Sequence, residues 1–244
     1  MAKKIKLPRF LVAISLCLVL LLSSLAVYLL SYYKADSEAI AAFCADLSVQ
    51  KTVLEDGSIA FEPNAPLAGI ILYPGGKVEH SAYEPLAAAL AERGVLAVIV
   101  KMPFRLAVFD IHAADGIREL FPNIENWYIG GHSLGGAMAA SYLKNHSDTF
   151  KGLILLGAYS TTDLSDTSLA VLSVYGSEDK VLNSEKYKEN KKNLPDRFYE
   201  IVLEGGCHAY FGMYGNQKGD GTPTLSNEAQ MKQTADAIFS FVLE

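Results

Sequence analysis

The sequence is poor in cysteine and lacks the common motifs of metal and phosphate sites. Only three cysteines occur in 244 residues, which excludes a small disulfide-built protein. No C-x-x-C, H-E-x-x-H or G-x-x-x-x-G-K-[ST] motif is present, and Gly219-Asp220-Gly221 lacks the other ligands of a calcium loop. We therefore expect no metal and no other cofactor. Cys44 and Cys207 could pair, but two thiols without a spacing signature favour free side chains.

A net positive charge is also missing. The sequence has 21 basic and 27 acidic residues and so a formal charge of −6, which argues against a nucleic-acid-binding protein. The distribution is uneven, because residues 1–35 contain five cations and no acid. Removing these five leaves 16 basic against 27 acidic residues, a charge of −11 for residues 36–244. The chain thus joins a basic, apolar leader to an acidic body, and its 50% hydrophobic content excludes general disorder.

The leader has no charged residue between Phe10 and Tyr33. As a helix this segment spans roughly 36 Å, enough to cross the hydrocarbon core of a bilayer. Four cations precede it, so the positive-inside rule predicts a cytoplasmic stub (residues 1–9), a single-pass signal-anchor (10–33) and an extracellular body at the cell membrane. Cleavage after Ser24-Leu25-Ala26, giving a secreted protein, is the alternative. The apolar run continues through Leu30, which favours the retained anchor.

The rest of the chain has the pattern of an α/β protein. Residues 34–64 predict a linker helix and a hairpin around Gly57, and residues 65–244 predict one domain. Apolar runs of strand length alternate with stretches of helical spacing. The runs cover 67–73, 95–101, 126–131, 152–158, 168–176 and 197–205, and the helical stretches are Ala82–Glu92, Leu134–Asn145, Ser184–Lys192 and Glu228–Leu243. This alternation predicts a mostly parallel sheet with helices on both faces.

Two connections bear on access to any site. The segment from Met102 to Asn126 is one crossover, for which we expect a helix and no separate lid domain. Only about ten residues, Ser160–Leu169, separate two late strands, where a cap could otherwise be inserted. We therefore expect an uncapped site that admits small to medium acyl groups.

The strongest chemical signal is Gly131-His132-Ser133-Leu134-Gly135-Gly136, between a strand and a helix. A serine at such a reversal is held in a strained backbone conformation with its hydroxyl exposed above the sheet, and the flanking glycines let strand and helix approach closely. Ser133 is the predicted nucleophile, and the Leu134 N–H is a predicted oxyanion donor.

A serine hydroxyl needs a base and an orienting acid, which follow it in this order: serine, acid, histidine. The turn after the run 168–176 offers Asp179, with Glu178 beside it, and Asp163 and Asp166 are reserve acids. The next run ends in Gly205-Gly206-Cys207-His208. His208 is the predicted base, because His80 and His112 precede the serine, His132 lies within the turn itself and His146 ends a surface helix.

The second oxyanion donor is expected in the loop after the first core strand, Tyr73-Pro74-Gly75-Gly76-Lys77-Val78. Paired glycines let a backbone amide face the serine. The Lys77 N–H is the first choice and the Gly76 N–H the second. Downstream, Tyr210, Phe211 and Tyr214 would either contact the acyl group of a substrate or anchor their glycine-rich loop.

Several segments together resemble the α/β-hydrolase superfamily, and within it the small, lidless dienelactone-hydrolase-like branch. They are YPGGKVE, KMPF, GGHSLGGAMAA, VYGSEDKV and GGCHAYFGMYGNQKGDGTPT, within roughly residues 65–244. The resemblance implies an α/β-hydrolase fold, a triad of Ser133, Asp179 and His208, and an oxyanion hole at Lys77 and Leu134. The nucleophile here is serine, not the cysteine of true dienelactone hydrolases, so that reaction is not implied.

These features predict a membrane-anchored serine hydrolase, a carboxylesterase acting on a small-molecule ester. Two alternatives stay open at this point. One is an acyltransferase that moves the acyl group to an envelope sugar or lipid. The other is a non-catalytic binding protein on a hydrolase fold.

Overall fold

The computed structural model describes residues 9–244, so the predicted basic stub lies outside the described residues except for the backbone of Arg9. The chain divides into two compact units, Met1–Tyr32 and Tyr33–Glu244. In the first, helix α1 (Arg9–Leu30) contains one stretch, Phe10–Leu30, long and apolar enough to cross a membrane. A signal sequence has the same properties.

The second unit contains a sheet of eight strands and five α-helices among its described residues. The strands are β1 (Gln50–Val53), β2 (Ile59–Glu62), β3 (Ala68–Tyr73), β4 (Val95–Ile99), β5 (Trp127–His132), β6 (Gly152–Leu156), β7 (Ala170–Gly176) and β8 (Phe198–Leu203). The helices are α2 (Ser37–Cys44), α3 (Glu84–Glu92), α4 (Leu134–Leu143), α5 (Ser184–Asn190) and α6 (Asn227–Val242).

The strand order is β1-β2-β4-β3-β5-β6-β7-β8. The neighbours from β4 to β8 pair in parallel, whereas β1 with β2 and β2 with β4 pair antiparallel. The predicted mostly parallel sheet is therefore confirmed, and the predicted hairpin forms its antiparallel edge. Parallel strands bring their carboxyl ends to one edge of the sheet, where α/β proteins hold their sites.

The core lies on both faces of the sheet, as the near-continuous apolar strands require. Along β3, Ile70 and Leu72 pack on the face covered by α3 and α6, and Ile71 and Tyr73 pack on the face covered by α4. Helix boundaries follow local chemistry: the Asp36 carboxylate accepts the Ala39 N–H at 3.0 Å at the start of α2, and Ser226 does the same for Ala229 at 3.2 Å in α6.

The crossover between β4 and β5 differs from the expectation. The predicted helix there is wrong, because the connection consists of turns and three short 3₁₀ segments, Pro103–Arg105, Ala107–Phe109 and Arg118–Leu120. Phe104 and Arg105 both have positive φ, 52° and 60°, which an α-helix does not permit. Cys44 and Cys207 are both free thiols.

Candidate active site

Ser133 occupies the sharp reversal between β5 and α4. Its φ of 52° and ψ of −121° put a non-glycine residue in a strained region of backbone space. Its N–H donates to the Leu156 carbonyl at 2.9 Å, which ties the reversal to β6. A Cβ on Gly131 or on Gly135 would overlap the Tyr73 carbonyl oxygen, so glycine is required at both positions. The predicted sequence motif thus adopts the geometry that exposes a serine hydroxyl.

Asp179 and His208 meet beyond the ends of the adjacent strands β7 and β8. The Oδ2 atom of Asp179 lies 2.8 Å from Nδ1 of His208, and both side chains are 1% exposed. The second oxygen, Oδ1, accepts the N–H groups of Val181 at 2.9 Å and Leu182 at 2.8 Å. These two bonds orient the carboxylate, and no other acidic residue among the predicted candidates bonds to His208 in the described chain.

The pairing determines which histidine nitrogen is available. A carboxylate oxygen accepts hydrogen bonds, so Nδ1–H of His208 is the donor in this pair, and Nε2 is the ring nitrogen that the pair leaves unused. Nε2 is buried and has no hydrogen-bond partner among the described residues. An imidazole nitrogen in this state is an acceptor for a hydroxyl proton.

Ser133 and His208 line the same cavity, of about 390 Å³, at the carboxyl end of the sheet. Its remaining wall is mostly apolar: Leu134, Ala137, Met138, Gly157, Ala158, Tyr159, Thr161, Val181, Leu182 and Asn183. A larger cavity of about 760 Å³ lies at the opposite edge of the sheet, beside Asn126, Lys151 and Arg197, and contains none of the predicted site residues. The smaller cavity is the one that brings together the predicted nucleophile and the predicted base.

The oxyanion prediction needs one correction. Lys77, the first choice, has φ of 62°, and its N–H donates to the Arg105 carbonyl at 2.7 Å, so it is not available to a substrate. The Gly76 N–H has no acceptor among the described residues. Gly76 also faces Leu134, since a Cβ there would lie 2.9 Å from Leu134 Cδ2. The Leu134 N–H is the first amide of α4 and has no intrahelical acceptor.

Residues 69–232, more than half of the chain, match the sequence profile described as the Alpha/beta hydrolase family. The chain belongs to the α/β hydrolase family. No curated protein matches the sequence significantly. The narrower likeness to the dienelactone-hydrolase-like branch stays a prediction.

Solved structures share the fold of this hydrolase at low sequence identity. TT1662 from Thermus thermophilus is 16% identical, with a TM-score of 0.58, covering 81% of this chain and 99% of that one. Est1E from Butyrivibrio proteoclasticus is 15% identical, with a TM-score of 0.56 and coverages of 80% and 97%. A predicted CIB-like hydrolase from Thermoplasma acidophilum is 17% identical, with a TM-score of 0.54 and coverages of 79% and 99%.

The aromatic residues predicted to contact an acyl group do not line the cavity of this α/β hydrolase. Phe211 is 1% exposed and packs against the His132 ring with centroids 5.6 Å apart. Tyr214 is buried against Tyr33 and bonds to Gln217 at 3.0 Å, and Tyr210 packs against the same core. The burial of Phe211 and Tyr214 favours the alternative, in which they anchor the glycine-rich loop, whereas an acyl contact of the partly buried Tyr210 stays a prediction.

A buried network joins the loop Tyr73–Val78, which carries the predicted oxyanion donor, to the serine motif, and sequence reasoning missed it. The Gly75 N–H donates to Tyr83 Oη at 2.9 Å, and Tyr83 Oη lies 2.8 Å from His132 Nδ1. Burial raises the pKa of Tyr83, so its phenol stays protonated and shares a hydrogen bond with Nδ1 of His132. Burial, and then the nearby His208, lower the pKa of His132 well below its usual value. Its ring is therefore neutral, 4.4 Å from that of His208 between centroids.

Asp220 is the second residue that sequence reasoning missed. Its Oδ2 accepts the Ala209 N–H at 2.8 Å, directly after His208, and its Oδ1 accepts the Lys180 N–H at 3.3 Å, directly after Asp179. One carboxylate thus bridges the two loops that carry the acid and the histidine. A Gly-Asp-Gly sequence is typical of a turn, but Asp220 lies 11 residues past Ala209 and 40 past Lys180, and no local pattern links these positions, so its partners could not be inferred.

Proposed function

We propose that this α/β hydrolase is a membrane-anchored serine hydrolase, a carboxylesterase that works through an acyl-enzyme. The observation that carries the proposal is the Asp179–His208 pair, whose free nitrogen is buried in the cavity that also holds Ser133. Membership of the family supports hydrolysis in general. The serine nucleophile, the ester substrate and the dienelactone-hydrolase-like branch are our assignments.

In the first half-reaction, Ser133 Oγ attacks the ester carbonyl carbon while Nε2 of His208 takes the hydroxyl proton. Asp179 stabilises the imidazolium that forms and keeps it oriented. The negative charge that develops on the carbonyl oxygen is bound by the N–H groups of Leu134 and Gly76. The tetrahedral intermediate then breaks its bond to the alcohol, which leaves with the proton from His208, and the acyl group remains on the serine.

In the second half-reaction, water replaces the alcohol. His208 removes one proton from the water as its oxygen attacks the acyl carbon, and the same two amides bind the oxyanion. The bond to Ser133 Oγ breaks, the serine regains its proton from His208, and the carboxylic acid leaves. No cofactor enters either step, and the protons balance through one histidine.

Cavity size and chain topology support small to medium acyl groups. The cavity holds about 390 Å³, and its apolar wall is formed by Leu134, Met138, Val181 and Leu182. The connection from β6 to β7 is short and carries no inserted cap, and the crossover from β4 to β5 contains only turns and 3₁₀ segments. An open apolar cavity of this size suits a small or medium acyl group better than a long acyl chain that would have to be buried.

The anchor proposal rests on α1. Its apolar stretch of 21 residues matches the thickness of a bilayer core. We assign residues 1–9 to the cytoplasm, 10–33 to the membrane, and both 34–64 and the catalytic 65–244 to the outer side. The competing arrangement is a cleaved signal sequence with a secreted enzyme. N-terminal sequencing of the mature protein tests it, because a start near Val27 would contradict the anchor.

The direct test of the activity is Ser133→Ala in the full chain. We expect this variant to lose p-nitrophenyl acetate and butyrate turnover by about 10³-fold or more and to lose labelling by a fluorophosphonate probe. Ser165→Ala, which removes an exposed serine, is the matched control and should keep both. Unchanged turnover in Ser133→Ala would refute the mechanism. Product analysis with added alcohols separates hydrolysis from acyl transfer, and folded wild-type protein that never labels would indicate a binding protein.

A further inference from the structure

Three exposed apolar side chains lie close together in the segment Pro103–Phe109, which we call the aromatic loop. Phe104 is 54% exposed, Val108 47% and Phe109 56%, and the two phenylalanine rings pack edge to face with centroids 5.8 Å apart. The other exposed large apolar residues described in this unit are scattered along the chain. Such a cluster on the surface of a folded unit marks a contact with an apolar partner.

The aromatic loop is built to hold these side chains outward. Leu106 and Ala107 are buried beneath it, at 8% and 0% exposure, so the residues on either side of them turn away from the core. Phe104 and Arg105 have left-handed φ values of 52° and 60°, which costs free energy and persists only where the surroundings enforce it. Hydrogen bonds from Arg105 N to Met102 O and from Leu106 N to Pro103 O, both 3.0 Å, enforce it here.

The aromatic loop is directly bonded to the loop that carries the proposed oxyanion donor. The Arg105 carbonyl accepts the Lys77 N–H at 2.7 Å. A Cβ on Gly76 would lie 3.7 Å from Leu106 Cδ2. The aromatic loop therefore borders the proposed oxyanion corner of the site.

The same Lys77 peptide also binds the segment that follows the apolar helix. The Tyr33 N–H donates to the Lys77 carbonyl at 2.7 Å, and the Glu79 N–H donates to the Tyr33 carbonyl at 3.0 Å. Two residues separate Leu30, the end of α1, from Tyr33, and three Cα–Cα steps reach at most about 11 Å. If α1 crosses a bilayer, covalent connectivity therefore holds Tyr33 at the bilayer surface, and Tyr33 is two hydrogen bonds from the aromatic loop.

We infer that the aromatic loop docks on the lipid surface, with Phe104, Val108 and Phe109 in the interfacial layer. The site would then open next to the membrane, and its esters would be those of membrane-held amphiphiles rather than of freely dissolved molecules. The inference rests on the proposed anchor and esterase function and adds a partner, the bilayer surface, and a substrate class. Phenylalanine rings in the interface gain free energy by leaving water.

Docking is measured without any catalysis. The full chain is reconstituted into phosphatidylcholine vesicles whose acyl chains are brominated near the headgroup, with Phe104→Trp as the reporter. We expect at least about two-fold quenching of the added indole relative to unbrominated vesicles. Val202→Trp, on strand β8 and 45% exposed in the parent side chain, is the control and should not be quenched. The native Trp127 is 1% exposed and contributes a constant background, measured in the parent protein.

The substrate class is measured with a paired set of esters. Phe104→Asn with Phe109→Ser removes both rings, and asparagine tolerates the left-handed backbone at position 104. We expect this variant to lose about ten-fold turnover of an ester embedded in vesicles and to retain p-nitrophenyl butyrate turnover. Tyr199→Ser with Val202→Ser on β8 is the matched control and should retain both activities.

Each outcome decides the inference. No quenching of F104W, equal loss on both esters, or a full chain that does not float with vesicles would overturn it. Failure of the proposed function is separate, because it appears as absent fluorophosphonate labelling in the wild type and leaves the quenching result unaffected. Labelling that persists in the loop variant, together with quenched F104W, is the result we expect.

Discussion

The carboxylate of Asp220 accepts the N–H of Ala209 at 2.8 Å, one residue past His208. Its other oxygen accepts the Lys180 N–H at 3.3 Å, one residue past Asp179. The adjacent Gly221 is so close to the Glu178 carbonyl oxygen that any side chain there would overlap it. The loop around Asp220 therefore holds the loops of Asp179 and His208 at a fixed separation, which makes Asp220 a positioning residue for the proposed triad.

Asp220→Asn should lower kcat by about ten-fold or more with little change in KM. The variant keeps the size of the side chain but replaces one accepting oxygen with an NH₂ group, which cannot bind an N–H donor. Displacement of a reacting group by a fraction of an ångström is sufficient for such a loss. The measurement is steady-state kinetics on p-nitrophenyl butyrate alongside thermal unfolding.

Asp163→Asn is the control for that variant. Asp163 is exposed, bonds only to Ser165 among the described residues, and was a reserve acid for the triad. It should keep wild-type kcat. If kcat/KM were lower in D163N than in D220N, the assignment of the triad acid to the loop of Asp179 would be wrong, and the loop of Asp163 would take its place.

Gly157→Ala should disable the site through a single methyl group. A Cβ at position 157 would lie 2.9 Å from His208 Nδ1 and 3.2 Å from Asp179 Oδ2, between the acid and the base. We expect kcat/KM to fall by about 100-fold. The φ of +52° adds backbone strain, which lowers the free energy of unfolding by about 1–2 kcal/mol.

Gly116→Ala separates these two effects. Gly116 has a φ of +77°, but a Cβ there would meet no atom within 4 Å. It should lose a similar amount of stability and keep full activity. Equal losses of activity in the two variants would show that backbone strain, and not contact with the triad, is responsible.

The parts of the fold that were predictable depend on local sequence. The apolar runs of β3 to β8 and the glycines around Ser133 each determine their own backbone conformation, so the strands and the sharp reversal could be read directly. The hydrogen-bond partner of Lys77 could not, because it lies in a loop 28 residues later whose left-handed residues have no sequence signature. The burial of Phe211 and Tyr214 could not be predicted for a similar reason. An aromatic side chain next to a glycine-rich loop lines a cavity or packs in the core beneath the loop, and only the tertiary packing decides which.

Cys207 should resist alkylation although it adjoins His208, the proposed catalytic base. Burial, and then the Asp220 carboxylate, raise the pKa of its thiol to about 12, so the thiol is uncharged at pH 8 and is also 2% exposed. The thiolate is the reactive form. Iodoacetamide followed by mass spectrometry should leave Cys207 unmodified in the native protein and modify it in denaturant. Rapid native modification would show that the histidine loop opens.

His132 should make stability fall at mildly acidic pH. Burial, and then His208, lower its pKa well below the ordinary 6.5, so the folded protein keeps this ring neutral while the unfolded chain takes up a proton as the pH falls through 6.5. The unfolded state then binds more protons, and the free energy of unfolding drops by about 1.4 kcal/mol per pH unit below that point, with no contribution above it.

Burial lowers the pKa of His80 too, with the same sign, so the wild-type slope alone does not isolate His132. His132→Gln does, because glutamine does not titrate and still offers an acceptor to Tyr83. Denaturation of both proteins in a mild detergent between pH 7.5 and 5.5 gives their free energies of unfolding. These should converge as the pH falls, because only the wild type loses the stability that a neutral His132 provides. A difference that does not change with pH would mean that His132 takes up its proton equally in both states.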